Sequence, residues 1–260
     1  MGILNVTPDS FSDGGKYSEL DNALFQAEKM IADGASIIDI GGESTRPGAL
    51  EVNLSEELNR TIPVIEAIKK RFDVNVSIDT SKAQVMAEAI ANKVDLINDV
   101  CALQNDGCMD VVAQTQIPVC IMHMQGQPRT MQSNPQYDDV INDISEFFTQ
   151  RILSCERAGI DKNRLILDPG FGFGKSIKQN YQLLAGLSQF KSFGLPLLAG
   201  LSRKSMIGNL LNREVDERLA GSLSTALIAA QQGANIIRVH DVKETLDAIK
   251  VLHAVETANN

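Results

Sequence analysis

The chain has 260 residues, 43% of them apolar and 22% charged, a balance that excludes a disordered chain and a fibre. Twenty-four basic against 33 acidic side chains give a net charge of −9, which argues against sequence-independent nucleic-acid binding, since that needs a basic face. No run approaches the ~20 apolar residues of a membrane span. No basic start with a cleavage site marks a signal peptide. The four cysteines lack a C-x-x-C spacing, which points to the reduced thiols of a cytoplasmic protein and not to a disulfide framework or a zinc site.

Short apolar, β-branched runs alternate with helical stretches along the chain. The first predicted strand covers residues 2–6, and a helix over 22–33 follows, with Ala23, Ala27, Met30 and Ile31 on one face. A strand at 36–40 leads to a helix over 56–72 that carries Leu58, Ile62, Ile65 and Ile68. A strand at 74–78 precedes a helix over 84–92, strands follow at 96–98 and 119–123, and the longest helix spans 137–158. Strands at 165–168, 196–200 and 236–239 complete the series. Each run is nearly continuous in apolar residues, as expected for parallel strands buried on both faces. Gly34, Gly159, Gly194 and Gly233 stand where left-handed caps end helices. Eight strands alternating with helices in ~250 residues predict an α/β fold, a (β/α)8 TIM barrel forming a single domain over 1–260. A doubly wound open sheet is the alternative. The first strand begins at Gly2, which leaves nothing to close the bottom of the barrel.

In such barrels the chemistry sits at the C-terminal ends of the strands. Taken strand by strand, those ends carry Asn5; Asp39 and Glu43; Asp79; Asn98 and Asp99; His123; Asp168; Ser202, Arg203 and Lys204; and Arg238 and His240. A ring of amides, acids and bases at one end is hard to attribute to packing, because buried polar groups cost free energy unless paired. It reads as one polar pocket of mixed sign, with Arg46, Lys204, Arg238 and His240 opposing Asp79 and Asp168. The Arg–x–His after the last strand suits an anion, since a guanidinium fork binds phosphate in a bidentate way. The competing expectation pairs Arg238 with a helix-end acid, Asp241 or Glu244.

Other signals fail. The run GFGFGKS (170–176) has Pro169 where a phosphate loop needs glycine, the first strand-to-helix turn lacks G-x-G-x-x-G, and the three histidines form no zinc motif. The loops NVTPDSFSDGG (5–15) and GGESTRPGA (41–49) are rich in Ser, Thr, Asp, Gly and Pro, lie on the catalytic face, and are predicted to act as mobile lids that offer Phe11 and Thr45-Arg46-Pro47 to a ligand.

These loops, together with SIDTSK (77–82), LIND (96–99), MHMQGQPRTMQ (122–132), LDPGFGFGK (167–175), GLSRKSMIG (200–208) and IRVHDV (237–242), resemble the dihydropteroate synthases, most closely their bacterial single-enzyme form. The likeness runs from Gly2 to about Val255 in eight ordered places. The departure is a short hairpin that the family usually carries before the first strand and that this chain lacks. The resemblance implies an enzyme of folate biosynthesis that joins 6-hydroxymethyl-7,8-dihydropterin diphosphate to p-aminobenzoate. It implies Asp79, Asn98, Asp168, Lys204, Met122 and Phe173 as pterin ligands, and Asn5, Arg46, Arg238 and His240 around the diphosphate. It further implies Asn5 as the ligand of Mg²⁺, and Phe11, Thr45, Pro47, Ser202 and Lys204 around p-aminobenzoate, the pocket a sulfonamide would enter. Asp79, Lys204, Arg238 and His240 are the implied catalytic set, and a homodimer paired through late helices is the implied assembly. Three rivals share parts of this pattern: a class I aldolase using Lys204 as its imine lysine, a methyltetrahydrofolate methyltransferase barrel, and a pterin-binding protein without catalysis.

Overall fold

Every predicted strand forms, and the helices between them are longer or shorter by a few residues than the apolar periodicity suggests. In the computed structural model, which describes residues 1–6, 16–44, 52–126 and 135–258, the order begins β1 (Gly2–Asn5), α1 (Lys16–Ala32), β2 (Ile37–Gly41), α2 (Leu54–Arg71), β3 (Asn75–Asp79), α3 (Ala83–Ala91), β4 (Leu96–Asp99) and α4 (Cys108–Ala113). It continues with β5 (Val119–Met122), α5 (Val140–Arg157), β6 (Leu165–Asp168), α6 (Ile177–Ala185), β7 (Leu198–Ala199), α7 (Ser205–Leu211), α8 (Leu219–Gln231), β8 (Ile236–Ile237) and α9 (Val242–Thr257). The seventh strand is followed by two α-helices, so the described residues hold one α-helix more than strict alternation predicts.

Strands β1 to β6 pair in parallel in chain order, and β7 pairs with β8. Two single bridges close the circle. Leu167 pairs with Leu197 between β6 and the start of β7, and Gly2 pairs with Val239 just past β8. At the second seam Ile3 N donates to Val239 O and Val239 N to Met1 O, both at 2.9 Å. The cyclic order is that of a barrel and excludes the doubly wound sheet, whose strand order reverses at a switch point.

Alternation across each strand divides the barrel wall. Ile38, Ile40, Val76, Ile78, Ile97, Val119, Ile121, Leu165 and Leu167 point outward into one apolar layer with Ala27, Ile65, Ile68, Met86 and Phe148 of the surrounding helices. Each fully buried Ile or Phe there contributes roughly 1.5–3 kcal/mol. The other parity, including Asn5, Asp39, Asp79, Asn98, Asp168 and Arg238, faces the lumen. Local signals end the helices as predicted: Gly34, Gly159 and Gly233 follow α1, α5 and α8 at φ of 96°, 87° and 100°, and Gly194 closes a short 3-10 turn at φ 70°. Asn53 and Asp139 cap α2 and α5 by accepting from backbone N–H groups.

Candidate active site

Register alone brings the first lumen groups together. Asn5 pairs with Gly41, Gly41 with Asp79, and Asp79 with Asn98, so three polar side chains share one row across β1, β3 and β4. Gly41 leaves room in that row: a Cβ there would lie 3.7 Å from Asn5 Oδ1 and 3.8 Å from Asp79 Oδ2. Asp39 lies one step deeper, with 0% of its surface exposed. A charge so buried must be paired. Arg238 reaches across from β8, and its Nε donates to Asp39 Oδ2 while its Nη2 donates to Asp79 Oδ2, both at 2.6 Å. Asn98 Nδ2 donates to the same Asp39 oxygen at 3.2 Å. Asp39 Oδ1 and Ser77 Oγ, on register-paired residues of β2 and β3, are buried without a hydrogen-bond partner among the described residues. Burial, opposed by Arg238 and reinforced by Asp39, pushes the Asp79 carboxyl up to about 7. Between two acids Arg238 stays charged, its pKa raised above the ordinary arginine value despite desolvation.

The ends of β6 and β7 supply the opposite wall. Asp168 Oδ1 accepts from Gly170 N at 2.8 Å, and burial raises the Asp168 carboxyl pKa against the pull of Lys204. Lys204 donates to Phe171 O, and its Nζ sits 4.7 Å from the centre of the Phe173 ring, a cation–π contact. Desolvation lowers the Lys204 pKa to about 8 although Asp168 opposes it. At the rim, Ser202 Oγ lies 3.0 Å from His240 Nδ1 and accepts from His240 N at 3.2 Å. Arg203, between Ser202 and Lys204, takes a left-handed φ of 57° and turns away to pair with Asp241.

Most of the predicted site residues therefore converge. Asp79, Asn98, Asp168, Lys204 and Arg238 face one lumen end. Met122 is register-paired with Asp168, Phe173 lies beside Lys204, and Asn5 sits on the Asp79 row. Phe11, Thr45, Arg46 and Pro47 lie outside the described residues. The polar ring loses four members. Asp99 points outward and accepts from Cys101 N and Leu103 N. Glu43 pairs with Lys82, Arg203 with Asp241, and His123 with Lys175. The expectation that Arg238 pairs with Asp241 or Glu244 is overturned, because Asp241 is engaged by Arg203 and Arg238 by the two lumen acids. The sequence gives no role to two groups of consequence. Asp39 stands there as one more strand-end acid, although an acid inside an apolar run at lumen parity is a signal for a buried ion pair. Lys175 stands there as the end of a run that does not make a phosphate loop.

The chain matches the family of pterin binding enzymes over residues 1–240. It is 57% identical over 258 residues to dihydropteroate synthase of Escherichia coli K12, covering 99% of this chain and 92% of that one. Its structure is similar to that of the Yersinia pestis dihydropteroate synthase solved as a sulfonamide drug complex, with a TM-score of 0.95, 57% identity, and 99% and 94% of the two chains covered. It is also similar to the Xanthomonas albilineans dihydropteroate synthase solved with 7,8-dihydropteroate, at a TM-score of 0.90, 47% identity, and 99% and 93% coverage. With the family matched over nearly its whole length and the lumen acids, amides and bases gathered at the catalytic end of the barrel, the chain belongs to the dihydropteroate synthases.

Proposed function

We propose that residues 1–260 form one pterin-binding barrel in which Asp79, Asn98, Asp168 and Lys204 hold the pterin ring, with Met122 and Phe173 as its apolar walls. The observation that carries this reading is the convergence of two acids of raised pKa, a lysine lowered to about 8 and an arginine at one lumen end. The ring's amidine-like N–H edge suits a carboxylate that accepts two bonds. Asn98 has its amide N–H₂ engaged by Asp39, which leaves its oxygen to accept from the pterin. Lys204 donates to ring N or O acceptors.

The reaction of this transferase joins 6-hydroxymethyl-7,8-dihydropterin diphosphate to p-aminobenzoate. The C–O bond to diphosphate breaks and its electron pair leaves with the diphosphate oxygen. The methylene carbon left behind spreads its positive charge into the ring near the Asp79 carboxylate. The amine of p-aminobenzoate then forms the C–N bond and gives up a proton. Arg238, His240, Asn5 and Arg46 surround the leaving group, where fixed donors stabilise developing negative charge. The second substrate lies against Ser202 and Lys204 with Phe11, Thr45 and Pro47, and a sulfonamide enters the same place. No enzyme nucleophile is required. Cys120, register-paired with Asn98, is kept as a thiol because burial pushes its pKa well above the ordinary value.

The described residues contain no cluster of three or more His, Cys, Asp or Glu suited to hold a metal. Magnesium commonly takes only one or two protein oxygens and completes its shell with water and substrate phosphates. Asn5 Oδ1, beside the clearing at Gly41, fits that kind of site. A bound Mg²⁺ supplies charge neutralisation for the departing diphosphate. The test is diphosphate release from the pterin diphosphate and p-aminobenzoate, with and without Mg²⁺. Sustained release that is raised by p-aminobenzoate, matched by formation of the C–N product and lost with chelator is expected, and no product from the two substrates with Mg²⁺ would sink the reading.

The Asp79 carboxyl gives a pH dependence with a definite sign. The carboxylate accepts from the pterin far better than the acid, whose O–H would face the ring N–H edge, so binding favours loss of a proton held with a pKa of about 7. Affinity for 6-hydroxymethylpterin should fall about tenfold per pH unit below that point. A fluorescence titration across the neutral range checks this, and Asp79→Asn should flatten the profile. A wild-type affinity that ignores pH would show Asp79 to be remote from the ring.

The assembly we infer is a homodimer. Leu210 and Leu211 of α7, Ile177 of α6, Ile228 of α8 and Val215 between α7 and α8 are exposed apolar side chains on late helices that contact one another, and exposed apolar surface supports an interface there. Four free cysteines support a cytoplasmic location.

A further inference from the structure

The run GFGFGK fails as a phosphate loop, yet its lysine is among the most deeply buried side chains of the protein. Lys175 is 2% exposed and makes no salt bridge among the described residues, although the charge of Asp168 acts on it. Its Nζ donates to Gly170 O at 2.7 Å, Phe173 O at 3.1 Å and His123 O at 3.4 Å, and lies 3.1 Å from His123 Nδ1. Burial, with Lys175 adding to it, holds His123 at about 2, so the imidazole is neutral and its Nδ1 can accept, while burial also lowers the Lys175 pKa well below the ordinary lysine value. The histidine ring is itself wedged edge-on against Phe147, with centroids 4.9 Å apart.

The turn between β6 and α6 is wrapped closely on the end of β5, with backbone against backbone. Gly170 has φ 72°, and a Cβ there would lie 1.9 Å from His123 O; Gly174 has φ 65°, and a Cβ would lie 2.3 Å from Gln125 O. No residue with a side chain fits such an approach. Carbonyls turned inward by this path need donors, because a buried C=O without one costs free energy. The Lys175 amine supplies them. The same turn carries the Phe171 carbonyl that accepts from Lys204 and the Phe173 ring that flanks it, and it begins two residues after Asp168.

We propose that Lys175 is a positioning residue of the pterin pocket: its buried amine ties the β6–α6 turn to His123 and so fixes Phe171 O and the Phe173 ring around Lys204. It touches no substrate. The inference rests on the reading of this lumen end as the pterin site. It also explains why a glycine-rich turn ends in a lysine that serves no phosphate: the glycines permit the close approach, and the lysine satisfies the carbonyls that the approach buries.

The test uses the full chain and two probes, 6-hydroxymethylpterin, which has no phosphate, and inorganic diphosphate. Wild-type affinity for each is measured first. Lys175→Met keeps an unbranched side chain one atom shorter and removes its donors. It should weaken the pterin at least tenfold while leaving diphosphate affinity within threefold, because Arg238 and His240 are anchored elsewhere. A loosened fold would lower both together. His123→Phe keeps an aromatic ring against Phe147 and removes the ring nitrogens, the Nδ1 acceptor among them. It should weaken the pterin severalfold with diphosphate unchanged, and it serves if Lys175→Met does not fold. A folded variant of either kind with unaltered pterin affinity, or with equal losses for both probes, overturns the inference. Failure of the wild-type protein to bind the pterin would instead overturn the reading of the pocket, and this inference with it.

Discussion

Replacing Asp168 by asparagine is expected to weaken pterin binding by about 30- to 1,000-fold, a loss of ~2–4 kcal/mol. The direction follows from the bond that Asp168 already makes. Its Oδ1 accepts from Gly170 N at 2.8 Å, so an amide at this position keeps its oxygen on Gly170 and turns its N–H₂ toward the ligand. A group that accepted from the pterin N–H edge then presents donors to donors. Lys204 loses at the same step the carboxylate that most strongly favours its charged form. The exchange is nearly isosteric, so folding should survive. Calorimetric titration with 6-hydroxymethylpterin measures the loss, and near-normal affinity would mean that the pterin lies elsewhere.

Arg238→Ala is expected to have the largest effect on stability of any single change in the site. The guanidinium is the cation paired with Asp39, which is wholly buried, and it also pairs with Asp79. Removing one partner of a buried pair costs about 3–5 kcal/mol, because the remaining charge is left in a medium that solvates it poorly. Affinity for diphosphate should fall along with the urea midpoint, and far more than affinity for a pterin without phosphate. Adding Asp39→Asn to Arg238→Ala separates the two roles. The double variant leaves without its cation only Asp79, whose carboxyl burial already pushes up to about 7 and which can take a proton, so it should regain part of the stability and none of the diphosphate affinity. A double variant no more stable than the single one would show that the Asp39–Arg238 pair is not what the fold depends on. Equal losses for diphosphate and for the bare pterin would remove Arg238 from the leaving-group site.

The sequence by itself determined the barrel. Its eight apolar runs, their spacing, and glycines such as Gly34 and Gly233 are local features, and local sterics and hydrophobic burial read them the same way in any context. It also identified the strand ends as the place of the chemistry, and through motifs such as LDPGFGFGK it identified the family. What it left open was which polar residue faces inward. A strand buried on both faces is apolar throughout, so its sequence carries no alternation to set the phase. Asn98 and Asp99 are neighbours in one such run, yet one lines the lumen and the other caps a turn outside it. The ion-pair partners were equally hidden. Arg238 binds acids 199 and 159 residues away, because closing the barrel sets β8 beside β1 and brings its side chain across to β2 and β3. The nearby Asp241, which sequence proximity favours, is taken by Arg203. Lys175 belongs to the same class: its buried position exists only once β6 has docked beside β5 and the glycine turn has folded onto His123, so tertiary closure, and no local propensity, decided what that lysine does.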